Sequence, residues 1–78
     1  MKAYIQFLVE GTFGLPVERL GSDGVKVLDG RLSLNNMINE GIRSCGSKLY
    51  KPVGFKIVQA ERFTSEGKIL YSHTFKTY

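Results

Sequence analysis

Alternation opens the chain. Ala3, Ile5, Phe7 and Val9 take one parity and Tyr4, Gln6, Leu8 and Glu10 the other. A period of two with aromatic and β-branched residues predicts a strand over 3–9. Gly11-Thr12-Phe13-Gly14-Leu15-Pro16 then breaks the pattern and predicts a loop. Phe13 and Leu15 are unusual there. They are expected either to tuck under the sheet or to form an exposed apolar tip. Val17–Leu20 reads as a short strand, Gly21-Ser22-Asp23-Gly24 as dense turn chemistry, and Val25–Leu28 as a better strand with Val25 and Val27 on one face. Residues 17–28 therefore read either as a hairpin or as one strand.

The period then changes. Leu34, Met37, Ile38, Gly41, Ile42 and Cys45 recur at helical spacing and form one stripe. Ser33 is the expected N-cap, and Gly46 the expected C-terminal stop, with Pro52 beyond it. Asn35, Asn36, Asn39, Glu40 and Arg43 fall on the wet side. Gly41 lies on the apolar stripe, where it reads either as letting the helix lie close on the sheet or as a tolerated glycine with no packing role. Phe55–Phe63 and Lys68–Lys76 follow as two arms of a hairpin around Ser65-Glu66-Gly67. In the second arm Ile69, Tyr71, His73 and Phe75 share a face.

Strand, short strand, helix, strand, strand is a β-β-α-β-β order. It predicts a two-layer α+β domain, a mainly antiparallel four-stranded sheet with one helix on one face. The helical stripe Leu34, Met37, Ile38, Ile42 and Cys45 is expected to pack on Ile5, Phe7, Val27, Ile57 and Ile69. One helix covers one sheet face only, so the other is expected to stay open or meet a partner.

At 78 residues the chain is one domain, residues 1–78, with a thin core. A pocket of the usual catalytic size, roughly 300–1,000 Å³, would hollow that core out. This favours binding over catalysis. The single Cys excludes an internal disulfide framework and points to a reducing, cytoplasmic setting. Gln6 and Glu10 interrupt the first apolar run, which is not expected to be a signal peptide. No run approaches the length of a membrane span. Charge is uneven. Residues 1–40 carry four basic and five acidic side chains, net −1, while residues 41–78 carry seven and two, net +5. A basic half fits either nucleic acid or an acidic protein surface, and a solvated face explains it equally well.

Catalytic constellations are not expected. Ser72 and His73 are neighbours on a strand and point to opposite faces. Cys45 lies on the helical stripe, where a buried thiol is inert. With one His and one Cys, a structural zinc site lacks its usual ligands. Neither glycine-rich stretch has the spacing of a phosphate loop. No catalytic residue, metal or cofactor is predicted. The interleaving of Lys51, Lys56, Arg62, Lys68 and Lys76 with Tyr50, Phe55, Phe63, Tyr71, Phe75 and Tyr78 is a pattern that also suits single-stranded nucleic acid.

The helix, Phe55-Lys56-Ile57-Val58, the Ser65-Glu66-Gly67 turn and a long last strand are similar in layout to dodecin, a flavin-storing β-α-β-β protein. Dodecins stack flavin on a Trp, and this chain has none. Across its whole length the chain more closely resembles the small accessory proteins of bacteriophages, among them anti-CRISPR proteins and inhibitors of host RNA polymerase. The resemblance is one of size and architecture. It implies a non-enzymatic modulator in the host cytoplasm that occludes a host protein complex, here one with an acidic surface. The alternatives are a small basic nucleic-acid-binding protein and a homo-oligomeric subunit. The expected partner-binding residues are Arg62, Lys68, Tyr71, Lys76 and Tyr78 on the basic hairpin. Phe13 and Leu15 form the competing surface.

Overall fold

A computed structural model describes residues 2–60 and 67–75. Its elements are β1 (Lys2–Glu10), β2 (Pro16–Glu18), β3 (Val25–Leu28), α1 (Leu34–Ser47), β4 (Gly54–Ala60) and β5 (Lys68–Thr74), with short turns at Thr12–Gly14 and Ser22–Gly24. Every strand pairing is antiparallel. The architecture is the expected α+β one, but the sheet has five strands instead of four. Segment 17–28 supplies the difference. β2 pairs with Leu8–Glu10 and β3 with Ala3–Gln6, so both lie along one flank of β1 and share a single ladder position. β4 pairs with the other flank of β1, and β5 lies outside β4.

Gln6 holds the split flank together. Its Nε2 donates to the carbonyls of Arg19 and Gly24, 3.1 Å each, across the gap between β2 and β3. Those carbonyls would otherwise lack partners at a place where the ladder is interrupted.

The helix begins as expected, with Ser33 Oγ accepting from the Asn36 N–H at 3.2 Å. It does not stop at Gly46. It continues to Ser47, with Lys48 at the C-cap. Its buried residues are Met37, Gly41, Ser44 and Cys45, and Ile38 packs partly against the core. The face turned to the sheet is thus rotated from the predicted stripe. Leu34 is 42% and Ile42 44% exposed. The glycine decides the rotation. A Cβ at Gly41 would overlap the Phe55 ring, 2.7 Å from its Cζ, so the helix presents its smallest residue to a fully buried aromatic ring.

Ala3, Ile5 and Phe7 on β1, Leu28 on β3, and Phe55 and Ile57 on β4 complete this core. Val27 and Ile69 do not join it. Val27 pairs with Tyr4, of the opposite parity, and is 64% exposed. Ile69 is displaced by a register shift at Ile57/Val58, which sets it opposite Val58 on the second face while Tyr71 stays opposite Ile57 on the first. A one-residue irregularity reverses the face of everything beyond it. The second face is consequently not bare. Tyr4, Val58 and Ala60 are buried there, with Val25 packed against them.

Over β3 the contact with the helix is polar. Lys26, opposite Ile5, reaches Glu40 Oε1 at 2.6 Å and Ser44 Oγ at 3.3 Å. Glu40 also pairs with Arg43.

The Gly41–Phe55 contact makes a paired prediction. Gly41→Ala improves helix propensity by about 1 kcal/mol, but overpacking a filled core costs about 1–3 kcal/mol. Denaturant titration is expected to show a net loss of up to about 2 kcal/mol. Gly46 has nothing near its missing Cβ, so Gly46→Ala is expected to gain stability, by up to about 1 kcal/mol. Equal effects at the two sites would refute close packing at Gly41.

Candidate interaction surface

Two loops at one end of the sheet present apolar side chains to solvent. The first joins β1 to β2. Gly11 N donates to Leu15 O at 2.8 Å, Gly14 N to Gly11 O at 3.2 Å and Leu15 N to Thr12 O at 3.3 Å. Closing so tight a loop forces two consecutive residues into the left-handed region, Phe13 at φ 61° and Gly14 at φ 76°. Glycine adopts such angles freely. A bulky residue does so at a cost of roughly 1–2 kcal/mol. Phe13 recovers nothing by packing, since it is 96% exposed. Leu15, Pro16 and Val17 beside it are exposed too.

The second loop follows α1. Leu49 is 99% exposed, and Lys51 is, among the described residues, the other non-glycine one with positive φ, at 56°. The loop is anchored on both sides. Tyr50 Oη donates to Asp23 O at 2.7 Å, the Arg19 guanidinium lies over the Tyr50 ring at 4.3 Å, and Lys48 Nζ lies 4.8 Å from the centre of the Phe7 ring. With its neighbours tied down, Leu49 points away from the fold.

Phe75 joins the two. It lines a hollow of about 280 Å³ with Phe13, Leu15 and Val53, and a second of about 500 Å³ with Ile42, Leu49 and Pro52. The result is an apolar end flanked by Lys48 and Lys51 on one side and Glu10 on the other. Isolated exposed apolar residues are ordinary; a contiguous group around shared hollows is a candidate interaction surface.

Of the five predicted hairpin residues, the structure describes Lys68 and Tyr71. Arg62, Lys76 and Tyr78 lie outside the described residues. Lys68 is exposed at the Ala3–Gln59 end of the sheet, far along β5 from Phe75. Tyr71 is half-buried within an aromatic row, its ring stacked on His73 and tilted against Phe55, with its hydroxyl 3.3 Å from His73 Nδ1. Phe13 and Leu15, the competing pair, are the ones brought together with other apolar groups. Sequence reasoning missed Leu49, Val53 and Phe75 as members of this surface. A lone Leu between Lys48 and Lys51, just after a helix, was the available signal.

The groups considered for chemistry are placed as follows. Cys45 is buried, and desolvation raises its thiol pKa above the usual value, which suppresses the thiolate. His73 is enclosed by Phe55 and Phe75, while Ser72 pairs with Lys56 on the opposite face. Among the described residues, no three His, Cys, Asp or Glu side chains converge, and no helix is long and apolar enough to cross a membrane. Compared with models of known protein families, with curated proteins and with solved structures, the chain matches none.

Among the described residues, three carboxylates have pKa values held below the ordinary range. Hydrogen bonding to Arg19 lowers Asp23, and hydrogen bonding to Arg31 lowers Asp29. Lys26 first, then Arg43, lower Glu40. A carboxylate with a lowered folded-state pKa stabilises the fold above its ordinary value, and the contribution is lost as pH falls through the lowered one. Stability is therefore expected to decline below the ordinary glutamate value of 4.5. Glu40→Gln should lower stability at neutral pH and flatten this acid limb, read as urea midpoints across the acid range. An acid limb as steep as that of the wild type would show that Glu40 is not a contributor.

Phe13 supplies a second prediction. Its ring buries almost nothing, so Phe13→Gly relieves about 1–2 kcal/mol of left-handed backbone strain while making the unfolded chain more flexible at a cost of about 1 kcal/mol or less. Stability should fall by no more than about 0.5 kcal/mol, or rise. A loss of about 3–5 kcal/mol, as for a buried Phe, would place the ring in the core.

Proposed function

We propose that this chain is a non-enzymatic binding domain that docks on a protein assembly and occludes a functional surface of it, as small phage-encoded inhibitors of host defence or transcription complexes do. One observation carries the reading: Phe13 is held at left-handed backbone angles with its ring 96% exposed. Strain with no return inside the fold is expected where a partner supplies the missing contacts. Leu15, Leu49 and Phe75 extend the anchor, and large apolar groups of this kind dominate interface cores. Lys48 and Lys51 at the rim fit an acidic counter-surface, where they would chiefly speed encounter. The reading moves the centre of binding from the hairpin to the Phe13 end. Size and two-layer architecture are what the chain has in common with the phage proteins.

The test is comparative capture from bacterial lysate by the wild-type chain, Phe13→Asp and Lys68→Glu, with and without nuclease. Proteins retained by wild type and Lys68→Glu, insensitive to nuclease and lost about tenfold or more with a folded Phe13→Asp, are expected. Retention that survives Phe13→Asp but fails with Lys68→Glu would return the site to the hairpin. Retention abolished by nuclease would make nucleic acid the ligand, and the salt dependence would then be steep.

A further inference from the structure

The two edges of the sheet are built differently. On one side β2 and β3 are three and four residues long, separated by the 19–24 loop, and carry Pro16, Glu18 and Lys26. Short, interrupted and charged edges resist pairing with another chain. On the other side β5 is a continuous strand of seven residues. Among the described strands it is bonded to β4 alone. From Ile69 to Phe75 it has no charge, no proline and no glycine. Its one irregularity, opposite Ile57/Val58, lies toward the Lys68 end, and Tyr71–Thr74 are in regular register with β4.

The backbone of this stretch has groups to offer. Phe75 N donates inward, to Val53 O at 2.8 Å. Successive residues of an antiparallel ladder direct their N–H and C=O groups to alternate sides. Ser72 and Thr74 therefore direct theirs outward. On the helix side of the sheet, Tyr71, His73 and Phe75 are only half-buried, because α1 packs over β4 rather than over β5.

We propose that β5 is the seam of a two-fold symmetric homodimer, in which it pairs antiparallel with β5 of a second copy and one sheet runs through both. An axis at His73 sets Ser72 of each copy opposite Thr74 of the other, so the outward groups of both residues find partners. Tyr71 of one copy then lies beside Phe75 of the other and the two His73 rings meet, which continues the aromatic row across the seam. Lys68, the only charge on β5, falls at the far end of the ladder and does not face its counterpart. This self-complementarity favours a second copy over a foreign strand. The proposal uses the edge backbone and does not rest on the Phe13 and Leu49 tips.

Analytical ultracentrifugation of the full chain from micromolar to millimolar concentration, with amide hydrogen exchange on the same samples, tests it. Dimers are expected at the upper end, with exchange at Ser72 and Thr74 slowed about tenfold or more beyond any change at Phe75. Ser72→Pro removes an outward N–H and no bond to β4, so it should give a folded monomer; Thr74→Pro tests the same ladder independently if Ser72→Pro does not fold. A monomer throughout the range would overturn the proposal. So would a dimer whose Ser72 and Thr74 amides exchange as in the dilute protein, or a folded proline variant that still dimerises. Phe13→Gly should dimerise normally, which separates the failure of this proposal from failure of the docking surface.

Discussion

The Gly41 backbone lies directly against the Phe55 ring, and the layout of the core depends on that contact. Among the described residues a helix of fourteen residues is the only layer covering the sheet, and a chain of this size buries a smaller share of its surface than larger domains do. Bringing the helix down onto a fully buried Phe compensates by packing the available apolar surface tightly. Met37 and Cys45 are carried into the core as a consequence, while Leu34 and Ile42, one step round the helix, are left half in solvent. Phe55 in turn organises β5, because Tyr71, His73 and Phe75 all gather around its ring.

Where the apolar contact ends, polar contacts take over its positioning role. Lys26 occupies a place on the helix side of β3 where an apolar residue would be expected. It is satisfied there by Glu40 and Ser44. On the other face Lys56 of β4 reaches Glu18 of β2 at 2.6 Å, spanning β1, and the Gln6 amide closes the gap in the split flank. Partly exposed pairs of this kind contribute little stability each. Their effect is directional: they hold short strands in register that have too few ladder bonds to hold themselves.

The same economy shapes the surface. Tight closure of the 11–15 loop sets Phe13 in a strained conformation, and anchoring of Tyr50 and Lys48 leaves Leu49 pointing outward. Both apolar tips flank Phe75, which continues from the edge strand. An exposed apolar end and an undefended edge thus meet at one residue. The tips favour a partner's pocket and the edge favours a strand, so the two surfaces are suited to different contacts.

Local pattern was enough to determine much of this protein. Alternation over 3–9, the Ser33 cap, the helical spacing from Leu34, and the β-rich segments after Pro52 each depend on neighbours in sequence, and within the described residues they became the expected elements. The α+β class follows from their order. Tertiary structure decided what local pattern leaves free. The rotation of the helix was fixed by the volume of Phe55 against Gly41, two residues far apart in the chain. The faces of Val27 and Ile69 were fixed by register, and a single shift opposite Ile57/Val58 was sufficient to move Ile69 out of the core. Segment 17–28 became two strands on one flank because β1 is long enough to pair with both. The exposed apolar end was half legible: Phe13 and Leu15 stood out as apolar residues in a loop, but Leu49 and Phe75 acquire meaning only when folding sets them around the same end. A side chain's type is written in the sequence; what lies across from it is decided by packing.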